Sequence, residues 1–216
     1  AIALAIDKEG IVEGILQSGE KVVGELVAPA SFGWVEGIEP FAYDPEKAKE
    51  LIAEVGEPAK TKMSLATSPV FDQKTVQAIQ QMLTDVGLNV DIEMTDMATW
   101  LKNQQVSNEE APMLTFSRWS CACQDADGIM FPLLHTGESW SRYSDPELDA
   151  LLDTGRSKLD EDERLEAYKA AHELVKKDVP IVPLYQAAII YGGAKGLQWQ
   201  PTANESMFLN RMNWSE

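Results

Sequence analysis

Met63-Ser64-Leu65-Ala66-Thr67, then Val90-Asp91-Ile92-Glu93-Met94, then Met113-Leu114-Thr115-Phe116 are three short apolar or alternating runs that read as strands. Between the first two, Asp72 to Val86 places Val76, Ile79, Leu83 and Val86 on one helical stripe, and Gly87 closes it. Between the second and third, residues 96–105 fit a shorter helix. Strand-helix-strand-helix-strand predicts parallel pairing through right-handed crossovers, an α/β unit with a mixed sheet and flanking helices.

Outward from this unit, the punctuation is strongest at Asp44-Pro45-Glu46, with Asp44 as N-cap, Pro45 at the first helical position and Gly56 as the stop. Ala48, Leu51, Ile52 and Val55 then form its apolar face. Residues 1–16 read as helix, with Asp7 positioned to interrupt it as a fresh N-cap for Glu9 to Leu16. Residues 20–43 hold scattered aromatics (Phe32, Trp34, Phe41, Tyr43) in a Gly/Pro-rich, ordered loop. Residues 117–143 are loop-rich. Two helices follow, opened by Asp145-Pro146-Glu147 and by Asp160-Glu161-Asp162-Glu163, the second with Leu165, Tyr168, Ala171 and Val175 as its stripe. Val179 to Leu184 with Tyr185, then Ala188 to Tyr191, predict a strand region bent by Pro180 and Pro183. The tail from Gln198 carries Trp199, Phe208 and Trp214 in a polar context, which suits packing on something beyond it.

The 216 residues are 44% hydrophobic and 25% charged, ordinary for a globular chain, with a formal net charge of -17. Such a balance repels phosphate backbones and anionic lipid, so nucleic acid and an anionic membrane surface are poor partners. No apolar run reaches the ~18 residues of a bilayer span. The opening Ala1-Ile2-Ala3-Leu4-Ala5-Ile6 is not a signal peptide and suggests an excised piece of a longer chain. Cys121 and Cys123 would point to opposite faces of an extended segment, so a mutual disulfide is not expected and both read as small hydrophobes. Catalytic patterns are missing: there is no G-x-S-x-G, no H-E-x-x-H, and no Cys or His at ligand spacing from His135, while His172 reads as a surface or half-buried helical residue. Gly192 to Gly196 lacks the phosphate-loop pattern and reads as a turn. Neither catalytic residue, metal nor cofactor is assigned.

Arg118-Trp119-Ser120-Cys121-Ala122-Cys123-Gln124-Asp125-Ala126-Asp127-Gly128 follows the third strand, at the carboxyl end where open sheets place ligand crevices. An aromatic wall and an Arg clamp are available there. Several segments resemble the extracytoplasmic solute-binding proteins of peptide/nickel ABC transporters. Ala3 to Glu9 is similar to A-x-A-I-D-R/K-E, and Tyr43 to Leu51 to Y-D-P-E-K-A-K-x-L-L. Trp119 to Asp127 resembles W-G-A-D-Y-P-D-P-D, continued by Phe131-Pro132-Leu133-Leu134-His135. Tyr143 to Leu151 is similar to Y-x-N/D-P-E-x-D-x-L, and Val179 to Leu184 to x-P-x-I-P-L. Five motifs in order cover residues 1 to about 195.

The resemblance implies one lobe of a type II periplasmic-binding architecture: residues 1–197 as the carboxyl-terminal ligand-binding lobe, and 198–216 as a tail returning toward an amino-terminal lobe. It implies capture of a small peptide-like solute by hinge closure for ABC permease subunits, a monomer, and a place in the periplasm or on the outer face of the membrane. The family's amine-binding Asp in W-x-x-D falls here on Ala122, and a carboxylate-binding Arg of some members falls near Gln73. The expected binding loops are 31–36, 67–73, 96–100 and 118–125, with Trp34, Phe71, Gln73, Trp100, Arg118, Trp119, Ser120, Cys121, Ala122 and Asp125 as contacts and Arg118 as the replacement clamp. A docking or sensing module without transport is the alternative; a hydrolase would need a nucleophile within reach of His135 or His172.

Overall fold

The computed structural model describes residues 1–215. In chain order the elements are α1 (Ile2–Ala5), α2 (Lys8–Ile11) running into a π-helical turn at Val12–Leu16, β1 (Lys21–Val22), α3 (Pro45–Val55), β2 (Met63–Thr67), α4 (Gln73–Asp85), β3 (Val90–Met94), α5 (Met97–Asn103) and β4 (Leu114–Thr115). They continue with α6 (Asp127–Leu134), α7 (Pro146–Ser157), α8 (Glu161–Asp178), β5 (Tyr185–Gln186), β6 (Leu197–Gln198) and β7 (Asn213–Trp214).

Six helices begin on an aspartate whose carboxylate accepts backbone N–H groups of the first turn: Asp7, Asp44, Asp72, Asp96, Asp145 and Asp160. Each satisfies donors the helix itself cannot pair, and each places negative charge at the positive end of the helix dipole.

β3, β2 and β4 form a parallel sheet in that order, with Leu65 opposite Ile92 on one side and Leu114 on the other. The expected parallel pairing therefore holds. Its core gathers Leu65, Val90 and Phe116 with Val76, Ile79, Leu83 and Val86 of α4, and with Ile6, Ile11 and Ala48 from the N-terminal helices. A second core is helical: Ile129, Met130, Phe131 and Leu134 of α6, Leu148 and Leu152 of α7, and Tyr168, Ala171 and Val175 of α8. Gly155 lets α7 and α8 close on each other, because a Cβ there would stand 2.5 Å from the Tyr168 Cζ. Two antiparallel pairs, β1 with β5 and β6 with β7, fasten the remaining segments.

Several expectations need correction. Within the loop-rich residues 117–143, α6 forms with Pro132 inside it; burial of Ile129, Met130, Phe131 and Leu134 outweighs the lost N–H. Val55 and Leu165 close their stripes in the sequence but lie exposed, at positions where each helix turns away from its core. The strand region 179–191 shrinks to Tyr185–Gln186, since Val179 sits in the left-handed conformation ending α8 and Pro180 and Pro183 each lack a ladder donor.

His172 is buried, not superficial. Its Nε2 hydrogen-bonds to the Gly33 carbonyl at 3.1 Å, an acceptor only, so this nitrogen carries the hydrogen, and Glu25 Oε2 lies 3.1 Å away. Burial pushes the Glu25 carboxyl up to about 7 and pushes His172 down, so the low-dielectric site disfavours the charged form of both groups.

Finally, Cys121 and Cys123 are joined in a disulfide. The segment is not extended. It turns at Ala122 and Cys123 and holds Gln124 at φ 51°, which swings both sulfurs to one side.

Candidate functional site

The three parallel strands end on one edge, and the loops leaving them carry most of the expected contacts. Leaving β2, Phe71 meets Trp100 of α5 edge-on at 5.2 Å and Phe116 beyond β4 at 5.8 Å. The three rings form an aromatic cap over the first core. Trp100 and Phe116 are buried and Phe71 is half-exposed, so Phe71 is the member that faces outward. Gln73 does not present a free amide: its Nε2 donates to the Ser68 carbonyl at 2.7 Å and the Phe71 carbonyl at 2.9 Å. Both of its hydrogens are committed to shaping the 68–71 turn. Thr67, Ser68 and Thr75 bury hydroxyls beside this turn.

The loop after β4 is built differently. Pro132 has no N–H, so the Gly128 carbonyl four residues earlier lacks its helical donor. The Trp119 indole Nε1–H supplies it, at 3.0 Å. Trp119 is thereby locked to the start of α6, with Trp140 against it edge-on at 5.4 Å. Cys121 packs with Trp119 and Trp34 against the second core, while Ser120, Ala122 and Cys123 are exposed.

Loop 31–36 joins the same assembly. Phe32 N–H donates to the Gln124 carbonyl at 2.9 Å, and Ala126 N–H to the Phe32 carbonyl at 2.8 Å. Gly33, at φ +85°, passes so close to Ala126 and Tyr168 that a Cβ would fall 2.5 Å from the Ala126 Cβ. Only glycine fits there.

The charged candidates are already paired. One guanidinium nitrogen of Arg164, Nη2, donates to both Asp125 oxygens, at 2.9 Å and 2.8 Å, while Arg164 Nε donates to the Gly155 carbonyl at 2.6 Å and the guanidinium lies 4.4 Å over the Phe32 ring. Asp127 is held by Arg156 at 2.8 Å. Arg118 reaches Glu205 of the tail at 3.2 Å, an exposed contact worth under about 1 kcal/mol. The structure thus collects Trp34, Trp119, Cys121 and Asp125 on the second core and Phe71, Gln73 and Trp100 beside the first. Sequence reading missed Phe32, Arg164 and the Glu25–His172 contact, whose partners lie far off in the chain with no local pattern linking them.

The polar contacts of His135 go to the Thr136 carbonyl and Asp153, those of His172 to Gly33 and Glu25, and both cysteines are bonded to each other. Among the described residues no group of three or more His, Cys, Asp or Glu side chains is placed to hold a metal, and no helix is long and apolar enough to cross a membrane.

Known proteins resemble this chain in sequence and in fold. The glutathione-binding protein GsiB of Escherichia coli (strain K12) is 26% identical over 208 residues, which is 91% of this chain and 40% of that protein. The same share holds for GsiB of Salmonella typhi. The chain thus spans about two fifths of the length of these relatives. The periplasmic binding protein DppA from Helicobacter pylori, solved in complex with the peptide STSA, superposes with a TM-score of 0.78 at 26% identity over 85% of this chain and 37% of its own. The dipeptide binding protein from Pseudoalteromonas sp. SM9913, in complex with Met-Leu, shares the fold at a TM-score of 0.80 and 21% identity over 99% of this chain and 44% of its own. All three are binding proteins, and DppA is an ABC transporter-associated one. Residues 1–141 match the model of "Bacterial extracellular solute-binding proteins, family 5 Middle", and the chain belongs to that family.

Proposed function

We propose that residues 1–197 are the carboxyl-terminal ligand-binding lobe of the substrate-binding component of an ABC importer, working outside the cytoplasmic membrane. It captures a small peptide-like solute by closing against an amino-terminal lobe and hands it to permease subunits as a monomer. Ligand contacts made with both lobes exist only in the closed state, so the solute shifts the population toward closure. One observation carries the reading: the loops at the carboxyl edge of the parallel sheet present a fixed aromatic wall, Phe71 on one core and Trp119 with Trp34 on the other. The tail 198–216 supports it too. It is tied to the candidate loop through Arg118 and Glu205 and leaves Leu209 and Trp214 largely exposed, a surface suited to contact with the rest of the protein.

The head group is the distinguishing point. Ala122 offers no charge, and both carboxylates of loop 118–128 already face arginines. A buried ammonium without a counter-charge is strongly disfavoured. The solute is therefore held here by apolar and neutral polar contacts rather than by pairing an amino terminus.

A thermal-shift and calorimetry series on the complete protein tests both parts, using reduced glutathione, dipeptides and their N-acetylated forms. A ligand at ~100 times its dissociation constant adds about 2.7 kcal/mol to stability. We expect binding of at least one peptide-like solute, with acetylation changing affinity less than about tenfold, about 1.4 kcal/mol. Loss of binding by a hundredfold on acetylation overturns the head-group assignment; no shift with any peptide-like solute at millimolar concentration overturns the function.

A further inference from the structure

The Cys121–Cys123 disulfide is hard to explain as a staple. A bridge stabilises mainly by removing chain entropy from the unfolded state, and that gain grows with the loop it closes. Here one residue, Ala122, separates the two cysteines. The neighbouring backbone already has its own fastenings: Phe32 bonded to Gln124 and Ala126, Arg164 on Asp125, and Trp119 on Gly128.

The two sulfurs are also not equivalent. Cys121 packs against the second core, whereas Cys123 is exposed. The Cys123 backbone N–H donates to Cys121 Sγ at 3.2 Å. Both sulfurs lie against Gly128 in the first turn of α6, where any side chain would collide with them, so the positive end of that helix is beside them. The two nearest carboxylates, Asp125 and Asp127, are each neutralised by an arginine. Exchange at a disulfide requires an accessible sulfur to attack and a stabilised thiolate to leave. Cys123 meets the first condition and Cys121 the second.

We propose that this disulfide is a thiol-exchange site on the candidate loop after β4, taking low-molecular-weight thiols at Cys123. The incoming thiolate attacks Cys123 Sγ. The S–S bonding pair departs on Cys121 Sγ, which takes up the proton released by the incoming thiol. The products are a mixed disulfide at Cys123 and a free thiol at Cys121, with no external oxidant or reductant consumed. Return attack by Cys121 expels the small thiol and restores the bridge, so capture is reversible. The proposal stands whether or not the loop binds a transported solute.

Peptide mapping under non-reducing conditions tests it on the complete wild-type protein. The protein is incubated with millimolar reduced glutathione at mildly alkaline pH, quenched with iodoacetamide and digested. The expected product carries glutathione on Cys123 and carbamidomethyl on Cys121. Recovery of the intact Cys121–Cys123 bridge as the only species, or glutathione placed on Cys121, overturns the proposal. The Cys123→Ser variant, monitored by circular dichroism for folding, is expected to react with oxidised glutathione at Cys121 at least tenfold more slowly than Cys121→Ser reacts at Cys123, since Cys121 is the covered sulfur. Equal rates also overturn it.

Discussion

Arg164 joins the candidate loop to the helical layer, and its removal has a cost that can be worked from its contacts. Replacing Arg164 by Ala deletes two charge-assisted hydrogen bonds to Asp125, one bond to the Gly155 carbonyl and the guanidinium stacked over Phe32. The two side chains are 19% and 25% exposed, so the pair lies between a surface ion pair at about 0.2–1 kcal/mol and a buried one at about 3–5 kcal/mol. A coupling energy of about 2 kcal/mol between Asp125 and Arg164 follows. The Gly155 bond adds about 1 kcal/mol to the Arg164→Ala change alone. The assay is a double-mutant cycle of Asp125→Ala, Arg164→Ala and the double variant, read by urea denaturation of the complete protein. Arg164→Ala should be the more damaging single change, at about 3 kcal/mol, and the double variant should cost clearly less than the two singles added. A coupling below about 0.5 kcal/mol would mean that the Arg164–Asp125 contact acts as a solvated surface pair, and the account of how the loop is held would fail.

Gly155→Ala should lower stability by about 1–2 kcal/mol in urea denaturation, although alanine is the better helix former by about 1 kcal/mol. The added methyl meets the fully buried Tyr168 ring at 2.5–2.6 Å, and overpacking there outweighs the propensity gain; equal or higher stability refutes the packing described. Glu25→Gln tests the buried carboxyl. A folded-state value raised by burial from 4.5 to about 7 gives stability that is complete below the unfolded value and lost as pH rises through about 7. His172, lowered by burial, has the opposite slope, losing stability as pH falls below about 6.5, so the comparison belongs above that pH. Between pH 6.5 and 8 the wild type should lose about 1 kcal/mol relative to Glu25→Gln in chemical denaturation; parallel curves for the two proteins refute a buried, titrating Glu25.

What the sequence revealed, it revealed through local rules. Asp44-Pro45, Asp72, Asp96 and Asp145-Pro146 announce helix starts within three residues of themselves, and the alternation around β2, α4 and β3 announces the sheet. Trp119 stood out because it follows the third strand, and Phe71 entered only through the loop that the family resemblance implies. Contacts between distant segments were not readable. Nothing near Asp125 signals Arg164, and nothing near Glu25 signals His172. The disulfide was misjudged for a related reason: extended backbone separates Cys121 from Cys123, and the turn that reunites them is shaped by Gln124 bonding to the Phe32 loop. The link from Pro132 to Trp119 was equally hidden, because it runs through the carbonyl of Gly128 that the proline leaves without a helical donor.

The six aspartate caps also bear on the order in which the chain folds. Each fixes the first turn of its helix with a donor two or three residues away, so these helices can nucleate before any distant segment has been found. The parallel ladder of β2 with β3 and β4 has no such shortcut, since each pairing must first close a loop containing a whole helix. Hydrogen exchange pulsed during refolding is therefore expected to protect α4 and α8 amides early and β2 amides late, with assembly of the candidate loops, which needs all three strand ends, as the closing event.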